Sequence, residues 1–318
     1  MTQLLLIKAK GGLGNRMLSA VCGLVYAELT GRTPVIDWRD GLYAPRGTNA
    51  YPLLFPGQDM PAPETIQDEG VTPPSWRGKL QRDPGEMIEA EDPDRHSSPT
   101  IYRKYCVDLA RLAHPEPVAV FWSYLPKFGR LRRHLRRDPR FRGRGVEEIT
   151  SDSLDRWFRP NPRIRAEVAR ALEAMPRPLI GVHVRHTDLK VPLEPLKAAL
   201  RRRLAVTPGA SVFLATDNAA VQAEFAAEFA GLHHIDKALS DGVRRLHLPD
   251  QPFDLQREAE NALIDMWVLA GCDHLIFSRN STFAVAATLI GRMSRAQQTD
   301  IDRLNLPVVA KRLVQDYI

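Results

Sequence analysis

From Leu179 onward, short apolar runs alternate with amphipathic stretches, and this alternation limits the possible folds more than any other feature. A strand-like run at 179–184 precedes a helical pattern at 193–204, and one at 211–215 precedes a helix at 219–229. A helix at 258–271 then leads into a strand at 274–277 and a helix at 281–290. Strand and helix in turn imply a parallel sheet covered by helices on both faces. The N-terminus opens the same way: an apolar strand at 4–8, a glycine-rich turn, a helix at about 16–29 ended by Gly31 as C′ residue, and a strand at 34–38. Residues 118–122 form another strand. Between them, residues 41–100 are rich in Pro, Gly and charge, and read as long loops and short elements covering a cleft. A helix near 161–175 runs into Pro176-Arg177-Pro178, a natural hinge. The expectation is an α/β protein of two Rossmann-like units, residues 1–175 and 176–318, facing across a cleft, with the C-terminal tail packing back on the first.

With 318 residues, 44% apolar and 26% charged, the composition is that of a soluble globular protein. The three cysteines, Cys22, Cys106 and Cys272, are odd in number and far apart, so no disulfide framework or cysteine-based metal motif is expected. That fits a reducing compartment. Only four consecutive apolar residues, 4–7, stand near the N-terminus, too few for a signal-peptide core or a membrane span, so a cytoplasmic protein is expected. The formal charge of +6 is concentrated: residues 127–144 hold nine Lys/Arg and one acid, Asp138. Phe128, Leu131 and Leu135 fall there at helical spacing, so 126–137 reads as a basic amphipathic helix. It is either a solvated arginine-rich face or a contact for a membrane surface, a nucleic acid or an anionic acceptor. Without interleaved aromatics, nucleic acid is not the expected partner.

Candidate chemistry gathers at strand ends. In Gly181-Val182-His183-Val184-Arg185-His186-Thr187-Asp188, alternation puts His183 and Arg185 on one face of the strand. A guanidinium at the carboxyl end of a parallel strand suits a phosphate or diphosphate, since its planar fork donates to two oxygens. Asp217 and Asn218 follow another strand, either as helix caps or as ligand contacts. Ser281 and Thr282 open a helix where free backbone N–H groups favour an anion, and they serve there as caps or as phosphate contacts. Asp265 is the polar exception in a stretch of nine, residues 262–270, that is otherwise apolar. A buried carboxylate needs a partner: a neighbouring Arg or His, or a ligand with two adjacent donors such as guanine. Gly12, Gly14 and Asn15 sit in a turn that lets backbone approach a ligand, or that simply turns tightly. Their spacing is neither a dinucleotide nor a phosphate-loop fingerprint.

Four segments in this order resemble the GDP-fucose-dependent fucosyltransferases: 181–188 (GVHVRHTD), 213–218 (FLATDN), 263–272 (LIDMWVLAGC) and 278–283 (SRNSTF). The likeness is greatest to the nodulation-factor and N-glycan-core α1,6-fucosyltransferases. GGLGNRM near the N-terminus is similar to the α1,2-fucosyltransferases, and Ile36-Asp37-Trp38-Arg39 to the nodulation enzymes. The resemblance implies a GT-B-like fold with the donor held mainly by the C-terminal half, which would make the first half the acceptor side. By position it implies that Arg185 binds the diphosphate, His183 and Asp265 contact guanine, Asp217 contacts the nucleotide and Ser281 a phosphate. It implies inversion at the anomeric carbon, a GDP-fucose donor, a glycan or glycoconjugate acceptor, and no metal or other cofactor. Neither Asp92-Pro93-Asp94 nor Asp300-Ile301-Asp302 is expected to bind metal. His186 stands where the N-glycan enzymes carry a second arginine, as in the nodulation enzymes. The acceptor carboxylate of the N-glycan enzymes aligns with Leu193, which leaves Glu194 and Asp188 as candidate bases. Residues 41–160 match nothing, so the acceptor stays open. Alternatives are another GDP-sugar, a non-sugar acceptor, or a binding protein without catalysis.

Overall fold

The computed structural model describes residues 2–67, 69–91, 99–186, 191–237, 239 and 254–317. The chain forms two compact units, one of residues 1–159 with 310–318 and one of residues 160–309. The change of unit falls between Arg159 and Pro160, ahead of the helix that leads to Pro176.

In the first unit, β1 (Leu4–Lys8) is followed by α1 (Leu13–Thr30), β2 (Thr33–Asp37), α2 (Ala50–Leu54), β3 (Val71–Thr72), α3 (Pro84–Glu89), α4 (Pro99–Tyr105), β4 (Val118–Trp122), α5 (Phe128–Arg137) and α6 (Val146–Trp157). The strands form one parallel sheet in the order β2-β1-β4-β3, with Leu6 level with Val35 on one side and Val120 on the other. Helix α1 is buried from Leu13 to Ala27, as a helix apolar nearly all round must be. Gly31 ends it in the left-handed region (φ 71°), its N–H returning to the Ala27 carbonyl. The 41–100 stretch does hold short elements, and Trp76, Leu80, Met87 and Ile88 from it pack with Val71, Val120 and Trp122 in one core. Helix α5 keeps Phe128, Leu131 and Leu135 buried, as their spacing predicts.

The second unit runs α7 (Pro162–Ala174), β5 (Leu179–Val184), α8 (Leu193–Ala205), β6 (Ser211–Thr216), α9 (Ala219–Glu228), β7 (Leu232–His233), α10 (Leu255–Ala270), β8 (His274–Phe277), α11 (Thr282–Ile290) and β9 (Gln298–Asp300). Helix α12 (Leu306–Tyr317) closes the chain, its residues from Ala310 grouping with the first unit. The second sheet is also parallel, ordered β7-β6-β5-β8-β9. One face of β5, through Ile180, Val182 and Val184, packs on Leu196 and Leu200 of α8 and Val221 and Phe225 of α9. The other face carries Gly181 and His183 and lies under α10: a Cβ at Gly181 would sit 2.9 Å from the Cys272 sulfur and 3.1 Å from a Leu269 methyl. Among the described residues no helix is long and apolar enough to cross a membrane.

Candidate active site

From β5 the chain proceeds to β6 and β7 on one side, while β8 and β9 lie on the other. The connections therefore part between the carboxyl ends of β5 and β8, the crevice where open α/β sheets receive ligands. His183 and Arg185 come from the first of these ends, and Ser278 to Thr282 from the second.

His183 is 8% exposed and lies parallel to the Phe283 ring of α11, 5.0 Å between centroids and 20° between planes. Burial, with the Arg185 and Lys237 charges nearby, lowers its pKa to about 3, so the imidazole is neutral at physiological pH. Arg185 leaves the strand half-buried, and its carbonyl accepts from the Val191 N–H at 3.2 Å. The backbone N–H of His186 donates to Asp217 Oδ1 at 2.9 Å, so the carboxylate after β6 braces the turn after β5. His186 Nδ1 is buried and meets no hydrogen-bond partner. Asn218, not Asp217, is the cap of α9, accepting from the Val221 N–H at 3.0 Å.

Ser281 occupies the N-cap position of α11, yet its hydroxyl makes no capping bond. The residue is 1% exposed and its Oγ has no partner. A buried hydroxyl at a helix start can donate to an anionic acceptor bound there. The loop holding it is pinned from β9. Asp300 Oδ1 accepts from the Arg279 N–H at 3.1 Å, Asp300 Oδ2 pairs with Arg279 Nε at 2.5 Å, and Asp302 accepts from the Ser278 hydroxyl. The Asp300-Ile301-Asp302 triplet thus spends its carboxylates on this loop. Asp92 and Asp94 lie outside the described residues, and among those described no three His, Cys, Asp or Glu side chains cluster as a metal site.

Asp265, on α10, is 2% exposed. One carboxylate oxygen, Oδ2, is engaged by the Lys237 ammonium, while Oδ1 is buried without a partner. Burial outweighs the lysine and raises the carboxyl pKa. The expected Arg or His partner is in fact a lysine, and the two-oxygen match to guanine is reduced to one open oxygen while that pair holds. Lys237 is the site residue that sequence reasoning missed: it follows a two-residue strand in a polar stretch and carries no motif.

Thr282 opens α11 beside Ser281, Glu194 belongs to α8, and the Gly12 turn belongs to the first unit. Glu194 is exposed in the first turn of α8, 3.6 Å from Arg201 of the same helix, and no described contact ties it to Arg185. Asp188 lies outside the described residues. Thr282 is buried in the first turn of α11. Gly12 is the N-cap of α1, with Gly14 and Asn15 buried in its first turn. Arg16, from the same turn, is 1% exposed beside them. It donates to the Gly11 carbonyl at 2.7 Å, pairs with Asp40, and lies 4.9 Å from the Tyr43 ring centre. Asp37 joins Lys8 at 2.8 Å and Arg39 at 2.7 Å in a buried network. Burial alone would raise its pKa, but the two cations together hold it below the usual carboxylate range.

In fold and in sequence the chain is similar to the GDP-fucose-dependent fucosyltransferases. It is similar to nodulation protein Z of Bradyrhizobium diazoefficiens, with 25% identity over 320 aligned residues that cover 89% of this chain and 77% of that protein. The crystal structure of NodZ α1,6-fucosyltransferase soaked with GDP-fucose matches with a TM-score of 0.62 at 22% identity, over 91% of this chain and 93% of that one. A mutant of Arabidopsis thaliana FUT1 in complex with GDP matches at TM-score 0.56 and 17% identity, over 92% of this chain and 69% of that one. No protein-family model matches the chain. The resemblance first read in four segments therefore extends over about nine-tenths of the chain.

Proposed function

We propose that this protein is an inverting glycosyltransferase that moves L-fucose from GDP-fucose to a sugar hydroxyl of a glycan or glycoconjugate without a metal ion. The observation that carries the reading is the pair of buried, partnerless oxygens, Asp265 Oδ1 and Ser281 Oγ, on the helices α10 and α11 that accompany the strand end bearing Arg185. Relatives crystallised with GDP or GDP-fucose support it. Residues 160–309 would then form the donor-binding unit, and residues 1–159 the acceptor side.

In this reading Asp265 Oδ1 accepts an N–H of guanine, and His183, held neutral against Phe283, borders the base. Arg185 and the N-terminus of α11 with Ser281 take the diphosphate. The acceptor oxygen attacks the anomeric carbon from the face opposite GDP as the bond from that carbon to the β-phosphate oxygen breaks. GDP leaves with the electron pair, and the acceptor proton passes to a carboxylate, Asp188 or Glu194. Charge grows on the departing phosphate in the transition state, so the Arg185 guanidinium accelerates the step by more than it tightens binding. The free thiols of Cys22, Cys106 and Cys272 fit a cytoplasmic location.

Calorimetric titration with GDP, GDP-fucose, GDP-mannose and UDP, in the presence of a chelator, tests the donor site. Binding of GDP and GDP-fucose but not UDP is expected; equal binding of UDP, or none of any nucleotide, would refute it.

A further inference from the structure

The arginines of α5 are disposed for a second kind of contact. Phe128, Leu131 and Leu135 fix one face of this helix in the core of the first unit, which turns Arg132, Arg133, Arg136 and Arg137 outward, all exposed. They stand in two i,i+4 pairs of like charge, an arrangement that weakens a helix. The helix dipole accounts for Arg136 and Arg137 in the last turn, but not for Arg132 and Arg133 near the middle. Of the nearby carboxylates, Asp138 is engaged by Arg140 at 2.7 Å and Asp108 by Arg130 at 2.9 Å. None of the described ion pairs involves Arg132, Arg133, Arg136 or Arg137. Together with Gly129, these four line a shallow depression of about 400 Å³.

Apolar surface adjoins this charge. The end of α12 crosses α5 at Gly129, where a Cβ would lie 2.8 Å from the Asp316 carbonyl and 2.9 Å from the Tyr317 ring. Arg132 Nη1 donates to the Tyr317 hydroxyl at 2.9 Å. Tyr317 remains 44% exposed and Val314 on the same helix 52%. Guanidinium rows beside an exposed aliphatic and an amphipathic aromatic side chain suit a surface of anionic headgroups over hydrocarbon. A nucleic acid would use the arginines and leave Val314 without a role.

We propose that the face formed by Arg132, Arg133, Arg136 and Arg137 with Val314 and Tyr317 docks the protein on anionic lipid bilayers. The proposal is independent of the donor reading, because none of these residues belongs to the nucleotide site. The experiment is flotation of the full chain with vesicles of phosphatidylcholine alone or mixed with phosphatidylglycerol, at low and physiological salt. Binding to the mixed vesicles only, weakening with salt, is expected. The Arg133→Gln/Arg136→Gln/Arg137→Gln protein should bind them about tenfold or more weakly, while its GDP titration is unchanged. Val314→Ser should weaken binding to a smaller degree. Undiminished binding by the triple variant, no vesicle binding by the wild type, or tighter binding to duplex DNA than to mixed vesicles would each overturn the proposal.

Discussion

His183 and Phe283 lie nearly parallel with 5.0 Å between ring centres, so an ionisable ring is built into the packing between β5 and α11. Its pKa of about 3 lies below the ordinary value of 6.5, because burial comes first and the Arg185 and Lys237 charges add to it. The folded state thus resists a proton that the unfolded chain accepts. The stability this residue contributes is fully present above pH 6.5 and is lost as pH falls from there toward 3. Urea unfolding between pH 8 and 4.5 should show that decline, and His183→Asn should flatten part of it. An identical slope in the variant would mean that other groups carry the acid sensitivity.

Lys237 and Asp265 make a pair in which the carboxylate is almost wholly buried and the ammonium nearly so. Removing one partner strands the other charge, so Lys237→Met should cost about 3 kcal/mol at pH 7.5. The loss should shrink as pH is lowered, because the Asp265 carboxyl, already raised by burial, then takes up a proton. Adding Asp265→Asn should restore most of the stability. Chemical denaturation of both variants at pH 5.5 and 7.5 distinguishes this from a surface pair, which would give a small, pH-independent change.

At Ser281 stability and binding should move in opposite directions. With its Oγ buried and partnerless, Ser281→Ala removes an unsatisfied group and should leave the nucleotide-free protein as stable or about 1 kcal/mol more so. The same change should weaken GDP about tenfold, since a hydrogen bond to a charged oxygen is lost. Melting temperature and calorimetry on one preparation test both halves. A loss in both would make Ser281 a structural residue.

Arg185→Ala should reduce turnover by about a hundredfold or more, with a much smaller change in GDP affinity and an unchanged melting temperature. Arg185→Lys should recover part of the binding but little turnover, since an ammonium lacks the two-pronged geometry. Donor-hydrolysis and transfer rates give the measure. Near-normal turnover in the alanine variant would remove this side chain from the chemistry.

Gly181 is a packing constraint rather than a flexible point. Its missing side chain admits α10 to within van der Waals contact of β5, with the Cys272 sulfur 2.9 Å from where a Cβ would be. Gly181→Ala should therefore destabilise the second unit by about 1–3 kcal/mol and disturb Asp265 across the same interface. Denaturation combined with GDP titration checks both effects.

The alternation of strands and helices was legible in the sequence because it depends on local periodicity, and the seams where Arg185 and Ser281 lie follow from it. Edge strands β7 and β9 were not, since two or three residues without an apolar pattern become strands only when a sheet edge supplies their hydrogen bonds. Helix α6 escaped notice too: it buries Thr150 and Ser151 with Ile149 and Leu154, so its inward face is half polar in sequence.

By itself, the sequence determined the longer strands and most of the longer helices, that the second sheet is parallel, and which turns carry cation, hydroxyl and carboxylate. Tertiary structure alone decided that Lys237 meets Asp265 across 28 residues, and that Asp300 and Asp302 hold the loop of Ser278 and Arg279 from 21 and 24 residues away. Backbone conformation is set by neighbours within a few positions, and periodicity records it. The partner of a buried charge is set by which distant side chain reaches it once the core has closed.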